Sequence, residues 1–288
     1  MHVLLQSFQE HSLIWILISA GVGGLIGALI KFLFEQILST RYQHEFKSRA
    51  ALKMYKYPIL RSADSLDRRL QNYVQFVEKR WYDDPKDNYY RISTLYILGA
   101  YFGWCKILED EAFLEFETSN ARAKRFNIMF NTVYKGLTGF QYFDKINDLP
   151  LSEVEAASVP RLAITAISEL MIKKPSEKEK DTRPTVLGFI EFVNCFDKSP
   201  DFQKWFGYLD KLFVDVHPSD ESAKWNRVLA FATNVRAFVS FLDPSTRLTT
   251  PRMIYHLKRM HPQVREYISE ELKHHGFAHL ISKDDSNN

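Results

Sequence analysis

The chain has few cysteines and few glycines for its 288 residues. Its two cysteines, Cys105 and Cys195, lie far apart and belong to no CxxC or metal-type spacing. This excludes a disulfide framework, and the apolar run around each cysteine predicts a small buried side chain in a reducing compartment. The 11 glycines form no phosphate-binding loop, and the GxGxxG, GxSxG, HExxH and EF-hand patterns are absent. No common catalytic or cofactor-binding class is therefore indicated by a motif.

Two clusters of titratable side chains are the remaining candidates for chemistry. One is a set of C-terminal histidines, namely His256, His261, His274, His275 and His279. The other is a set of carboxylates, namely Glu109, Asp110, Glu111 and Glu115. Gly276 interrupts the i, i+4 spacing of His275 and His279, and no carboxylate completes a metal-binding set. We interpret the histidines as exposed residues and the carboxylates as an acidic helix end, and we expect no metal, cofactor or catalytic residue.

Charge is absent from residues 13–30, which read LIWILISAGVGGLIGALI. A helix needs about 20 mostly apolar residues to cross the hydrocarbon layer. Lys31 can extend its charge to the interface, and Phe32, Leu33 and Phe34 lengthen the apolar run. We therefore predict a transmembrane helix over residues 13–34 in preference to a buried core helix, because cores seldom need a run this long.

The two flanks of this run differ in charge. Residues 1–12 contain no lysine or arginine, whereas a secretory signal peptide begins with a basic segment. The basic residues on the far side are Lys31, Arg41, Lys47, Arg49, Lys53, Lys56 and Arg61, against Glu35 and Glu45. The positive-inside rule then predicts a single-pass protein of the inner cell membrane, with its N-terminus outside and residues 35–288 in the cytosol. Because basic residues beside a membrane attract anionic headgroups, we expect Arg41, Lys47, Arg49, Lys53 and Lys56 to contact membrane lipid.

Small side chains recur at four-residue spacing inside the predicted span. They form two adjacent stripes, Ser19, Gly23 and Gly27 in one, and Ala20, Gly24 and Ala28 in the other. Such stripes let a second helix approach closely, which favours a homo-oligomer through the transmembrane helix. The alternative is that glycine is simply common in membrane helices.

Beyond the membrane segment, nearly every stretch has apolar residues at three- and four-residue spacing. This periodicity predicts an all-α fold, with one N-terminal transmembrane helix followed by a multi-helix cytosolic domain. The expected parts are a short extracytoplasmic N-terminus (1–12), the transmembrane helix (13–34), a basic juxtamembrane helical segment (35–81), the helical cytosolic domain (82–281) and a disordered tail (282–288).

Local signals place several helix ends in this domain. Pro58 predicts a kink or a restart of the helix around it. A capping box at Ser152 and Glu155 predicts the start of one helix, and Asp201 is the expected N-cap of another. Pro251 and Pro262 each predict the first turn of a C-terminal helix.

Two further segments each allow two interpretations. Residues 92–105 carry no charge, but they are too few to cross a bilayer. We predict a core helix that neighbours cross closely at Gly99 and Gly103, with a second membrane span as the alternative. Residues 173–184 are rich in charge and contain two prolines, so they either separate two subdomains or form a long surface loop.

Residues 96–104 read YILGAYFGW and are followed by Ile107 and Leu108. This pattern resembles one found in uncharacterised bacterial single-pass membrane proteins, which share an N-terminal span, a basic juxtamembrane helix and a helical cytosolic domain. The match covers about residues 90–145 together with the general layout. The resemblance implies this architecture and carries no activity with it.

Three functions are compatible with these observations. The first is a membrane-anchored helical module for protein interaction or oligomerisation on the cytosolic face. A nucleic-acid partner is not favoured, because no basic patch interleaved with aromatic residues stands out away from the membrane. The second is a membrane-perturbing effector, toxin-like or defence-type, whose cytosolic domain senses a signal. The third is an enzyme with an unrecognised site.

Overall fold

The computed structural model describes residues 31–32, 39–112, 121–143, 150–173, 183–251 and 253–281. The chain divides into two compact units, residues 1–50 and residues 51–288. In the first unit the described residues are helical. The predicted extracytoplasmic N-terminus, the charge-free run with its small-residue stripes, and the tail 282–288 lie outside the described residues.

Helices dominate the described part of the chain, which confirms the all-α prediction. The α-helices are α1 (Ser39–Phe76), α2 (Tyr89–Ala112), α3 (Ala121–Thr138), α4 (Leu151–Ala156), α5 (Arg161–Met171), α6 (Phe189–Lys198), α7 (Pro200–Phe213), α8 (Ala223–Leu242) and α9 (Pro262–His274). Short 3₁₀ turns cover Val77–Lys79, Trp81–Asp83, Leu257–Arg259 and Ala278–Leu280. Two short strands, β1 (Ile172–Lys173) and β2 (Thr185–Val186), pair antiparallel with Ile172 opposite Val186. Across these ranges, no helix combines the length and the apolar character that crossing a membrane requires.

Helix α8 lies at the centre of the second unit. Its N-cap is Ser222, whose hydroxyl accepts a hydrogen bond from the Trp225 N–H at 3.3 Å. From Trp225 to Val239 every residue is buried, as is typical of a helix covered on all sides. Helix α3 packs most extensively against it. Gly136 permits this close crossing, because a Cβ atom there would lie 2.9 Å from the Phe231 Cα.

Helix α2 contains the charge-free run 92–105 and is crossed closely by its neighbours. A Cβ atom at Gly99 would lie 2.7 Å from the Phe206 Cζ, and one at Gly103 would lie 3.0 Å from the Met171 Cβ. Tyr101 and Phe102, which lie between these glycines, are fully buried. The run therefore forms a core helix, as its length predicts.

Strands β1 and β2 flank the charged segment 173–184. Their pairing places the two ends of that segment side by side. Lys173 also donates a hydrogen bond from Nζ to the Glu191 Oε1 at 2.7 Å, which ties β1 to the first turn of α6.

Helix α1 runs through Pro58 without a restart, so the kink, the other predicted alternative, stays a prediction. Two predicted helix starts are wrong. Ser152 lies inside α4, which starts one residue earlier, directly after Pro150. Asp201 lies in the first turn of α7, whose N-cap is Ser199, because proline at the first helical position already has the required φ.

The C-terminal region confirms one prediction and corrects another. Helix α9 begins at Pro262, as predicted. No α-helix begins at Pro251, because Ile254 instead forms a parallel bridge with Ile281. The Ile254 N–H donates to the Leu280 carbonyl at 2.8 Å, which holds this segment extended.

Candidate functional site

An open groove of about 340 Å³ lies where the turn before α2 meets the end of α7. Its lining residues are Tyr82, Asp83, Asp84, Pro85, Asn88, Arg91, Val214 and Asp215. The sequence predicts a loop over residues 82–88, and the aspartates fold that loop locally. Asp84 Oδ1 accepts a hydrogen bond from the Lys86 N–H at 2.8 Å, and Asp87 Oδ1 accepts one from the Tyr89 N–H at 2.9 Å. The second bond satisfies a free donor at the start of α2.

Two of the lining residues, Tyr82 and Arg91, form a cluster with Asp210. Arg91 donates from Nε to the Asp210 Oδ1 at 2.7 Å and pairs through Nη2 with Oδ2. The Tyr82 hydroxyl donates to the same Oδ1 at 2.9 Å. Burial raises the pKa of Tyr82 well above its usual value, and the neighbouring Asp210 raises it further. The phenol therefore stays protonated and acts as a donor rather than as a general base.

One hydrogen bond and two left-handed backbone conformations hold the turn beside the groove. Asp83 Oδ1 accepts a hydrogen bond from the Asp215 N–H at 3.2 Å. Asp215 has a φ of 51° and Arg80, beside the groove, has a φ of 53°, both in the left-handed region. These bonds and turns hold residues 80–88 against the end of α7. The Asp83 carboxylate and the Asp215 N–H are thus engaged with each other.

A second group of polar side chains is buried along α8. Arg227 donates to the carbonyl oxygens of Leu137 at 3.0 Å, Gly139 at 2.9 Å and Val154 at 3.3 Å. Its guanidinium also lies 4.7 Å from the ring centroid of Phe143. Burial lowers the pKa of Arg227 to about 10, so the group remains a cation at neutral pH. It satisfies carbonyls at the C-terminal end of α3, where a positive charge is favourable.

Three further buried groups on α8 are tied to other elements. Asn234 donates from Nδ2 to the Thr132 carbonyl at 2.8 Å. Arg236 pairs with Asp67 of α1, with both side chains at most 3% exposed. The Thr233 hydroxyl lies 2.9 Å from the His256 Nε2. These contacts join elements across the core, so we assign them a structural role.

The predicted lipid contacts fall in α1. The structure describes the side chains of two of them, Lys53 and Lys56, and both are exposed. It describes only the backbone at the other three, Arg41, Lys47 and Arg49. The small-residue stripes of the predicted span, Ser19 to Ala28, are likewise outside the described residues.

The histidines do not form one cluster. His256 is buried beside α8, which corrects its interpretation as an exposed residue, and His261 is the N-cap of α9. The rings of His274 and His275 are neighbours, with centroids 5.1 Å apart. In the part of the chain that the structure describes, no group of three or more histidine, cysteine or carboxylate side chains could hold a metal ion.

Sequence reasoning missed the Tyr82, Arg91 and Asp210 cluster. Asp210 follows Tyr82 by 128 residues and Arg91 by 119. The only available signal was the aspartate-rich turn at 83–87, which predicts a loop but not the element that the loop contacts. Comparison with known proteins adds no information, because no family model, curated protein or solved structure matches the chain.

Proposed function

We propose that this chain is a single-pass protein of the inner membrane whose helical domain faces the cytosol as an interaction module. The observation that carries the proposal is the charge-free run 13–30 with its one-sided basic flank. Residues 31–61 contain seven lysines and arginines against two carboxylates, whereas residues 1–12 contain no lysine or arginine. That asymmetry retains the basic side in the cytosol.

The described domain supports a binding role over a catalytic one. The carboxylate of Asp210 and the phenol of Tyr82 bond to each other at the groove instead of being directed at an open position. The buried cations Arg227 and Arg236 are likewise engaged with carbonyls and with a carboxylate. A reaction needs a nucleophile, an acid or a base poised toward a substrate, and these groups serve packing.

Topology is the first test. A fluorescent protein that matures only in the cytosol, fused after Asn288, should be bright. Alkaline phosphatase, which needs the periplasm, should be inactive at the same site. The reverse pair of results would overturn the proposed orientation. Release of the full-length chain by alkaline carbonate would overturn the anchor itself.

Association through the membrane helix is the second part of the proposal. Close backbone approach provides the energy of small-residue contacts, so Gly23→Ile and Gly27→Ile should each reduce cross-linking of the full-length chain in membranes. Val22→Ile lies off both stripes and serves as the matched control. Unchanged cross-linking in both glycine variants would exclude the stripe as the interface. Loss of membrane potential on overexpression would instead favour the membrane-perturbing effector.

A further inference from the structure

One face of α1 exposes cations and large apolar side chains together. Met54 is 39% exposed and Tyr57 is 57% exposed. Lys53 and Arg61 are exposed beside them. Successive helix residues are rotated by about 100°, so Lys53, Tyr57, Arg61 and Met54 fall within one arc of about 100°. We call these four residues the basic aromatic face.

The other side of the same helix is buried. Tyr55 is 4% exposed and Ile59 is 1% exposed, and both belong to the hydrophobic core. Lys56 is exposed but lies more than about 100° from the middle of the basic aromatic face. The helix therefore carries two neighbouring lysines, of which one belongs to the face and one does not.

Along α1, the charges on this face have a single sign. Between Lys53 and Arg61 the sequence contains no carboxylate. The next one, Asp64, is paired with Arg68 through Oδ2 at 2.8 Å and is thereby neutralised. A surface with cations at its edges and a tyrosine and a methionine between them matches the interface of an anionic bilayer. There, ammonium and guanidinium groups meet phosphates, while amphipathic and apolar side chains enter the headgroup layer.

We infer that the basic aromatic face of α1 lies on the anionic phospholipid surface of the membrane, with Tyr57 inserted at headgroup level. This inference rests on the proposed function, because an anchored chain holds this surface close to the bilayer. It also divides the predicted lipid contacts, since Lys53 contacts lipid and Lys56 does not. An acidic protein or a second copy of the chain would compete for the same surface, and the experiment separates these occupants.

The test places a fluorescent probe at the centre of the face. Tyr57→Cys in the full-length chain is labelled in a Cys195→Ser background, in which the remaining Cys105 is buried. The protein is reconstituted into phosphatidylcholine vesicles with or without phosphatidylserine, both containing a quencher attached to the lipid headgroup. Gln203→Cys, on the exposed side of α7, provides the reference probe.

We expect strong quenching at residue 57 in phosphatidylserine vesicles, weak quenching at residue 203, and loss of the difference at high salt. Each cation near an anionic surface contributes about fivefold to such binding. Lys53→Glu should therefore weaken the lipid association that quenching at residue 57 reports by at least about fivefold, and the matched change Lys56→Glu should leave it nearly unchanged. Circular dichroism of both variants checks that the total helix content is unchanged.

The failures of the two proposals are distinguishable. A chain that resists alkaline carbonate but shows no quenching at residue 57 is anchored and overturns this inference alone. A chain that carbonate releases but that floats with phosphatidylserine vesicles, with quenching at residue 57, overturns the anchor and supports the inference. Cross-linking between two copies through residue 57, without quenching, assigns the face to a second copy and overturns the inference. Equal effects of Lys53→Glu and Lys56→Glu also overturn it.

Discussion

The buried pair of Asp67 and Arg236 joins α1 to the central helix, and its removal provides a quantitative test of the core. The Arg236 Nε donates to the Asp67 Oδ1 at 3.0 Å, and Nη2 pairs with Oδ2. The side chains are 0% and 3% exposed, so neither charge can be solvated by water if its partner is lost. Removing one partner of such a pair costs about 3–5 kcal/mol, because an unpaired charge is left buried.

We therefore expect Asp67→Asn and Arg236→Met each to lower the free energy of unfolding by about 3–5 kcal/mol. The double variant Asp67→Leu with Arg236→Met should lose less than either single variant, since two apolar side chains replace two charges of similar volume. The sum of the single effects would then exceed the double effect by several kcal/mol, which is a strong coupling for two residues in contact.

Chemical denaturation of the full-length chain in one detergent, followed by tryptophan fluorescence, measures these differences. Trp225 is fully buried in α8 and reports on the same core. Lys106→Met is the matched control, because it breaks an i, i+4 pair with Asp110, which is 54% exposed. An exposed pair of this kind contributes less than about 1 kcal/mol. Additive losses in the double variant, or single losses no larger than the control, would refute the assignment of a buried, mutually dependent pair.

Other parts of the core give further expected outcomes. Gly136→Ala should destabilise by about 1–3 kcal/mol, because the added methyl group would lie 2.9 Å from the Phe231 Cα on the facing helix. Gly207→Ala meets no atom within 4 Å, so the better helix former should stabilise by about 0.5–1 kcal/mol in the same denaturation assay. Burial lowers the pKa of His256 to about 4 from an ordinary value of 6.5. The unfolded chain then binds the proton first as the pH falls, so stability is full above about pH 6.5 and declines by about 2 kcal/mol on acidification to about pH 5. His256→Gln, which keeps a partner for Thr233, should flatten that pH dependence, and an unchanged profile would show that His256 does not cause it.

The sequence predicts well the features that depend on neighbouring residues. Helix α9 begins at Pro262 as predicted, because the fixed φ of proline acts within one turn. The burial of α2 also follows from its sequence, since fourteen uncharged residues are too many for a solvated helix and too few for a span. Where two local signals compete, the prediction fails. The first helical position of α7 is Pro200, so the cap is Ser199 and not Asp201.

Contacts between distant residues could not be predicted in the same way. Periodicity places Trp225 and Val228 on a buried face, but it does not predict that the charged residues Arg227 and Arg236 are buried as well. A charged residue is hidden only when a partner exists, and the partner of Arg236 lies 169 residues away. The contacts of Asp210 with Tyr82 and Arg91 could not be predicted for the same reason. A single sequence shows which face of a helix is apolar, but not which other element covers the polar residues on it.

The buried polar groups of α8 constrain the packing in a way that apolar side chains alone cannot. Arg227 binds the end of α3, while Asn234 binds the middle of α3 and Arg236 binds α1. If α8 slid by one turn, about 5.4 Å, leucine, valine and phenylalanine could exchange places at modest cost. The same movement would leave two buried guanidinium groups without acceptors, at several kcal/mol each. The polar contacts therefore fix the register of the central helix against α1 and α3, whereas the apolar contacts provide most of the free energy that keeps the helix buried.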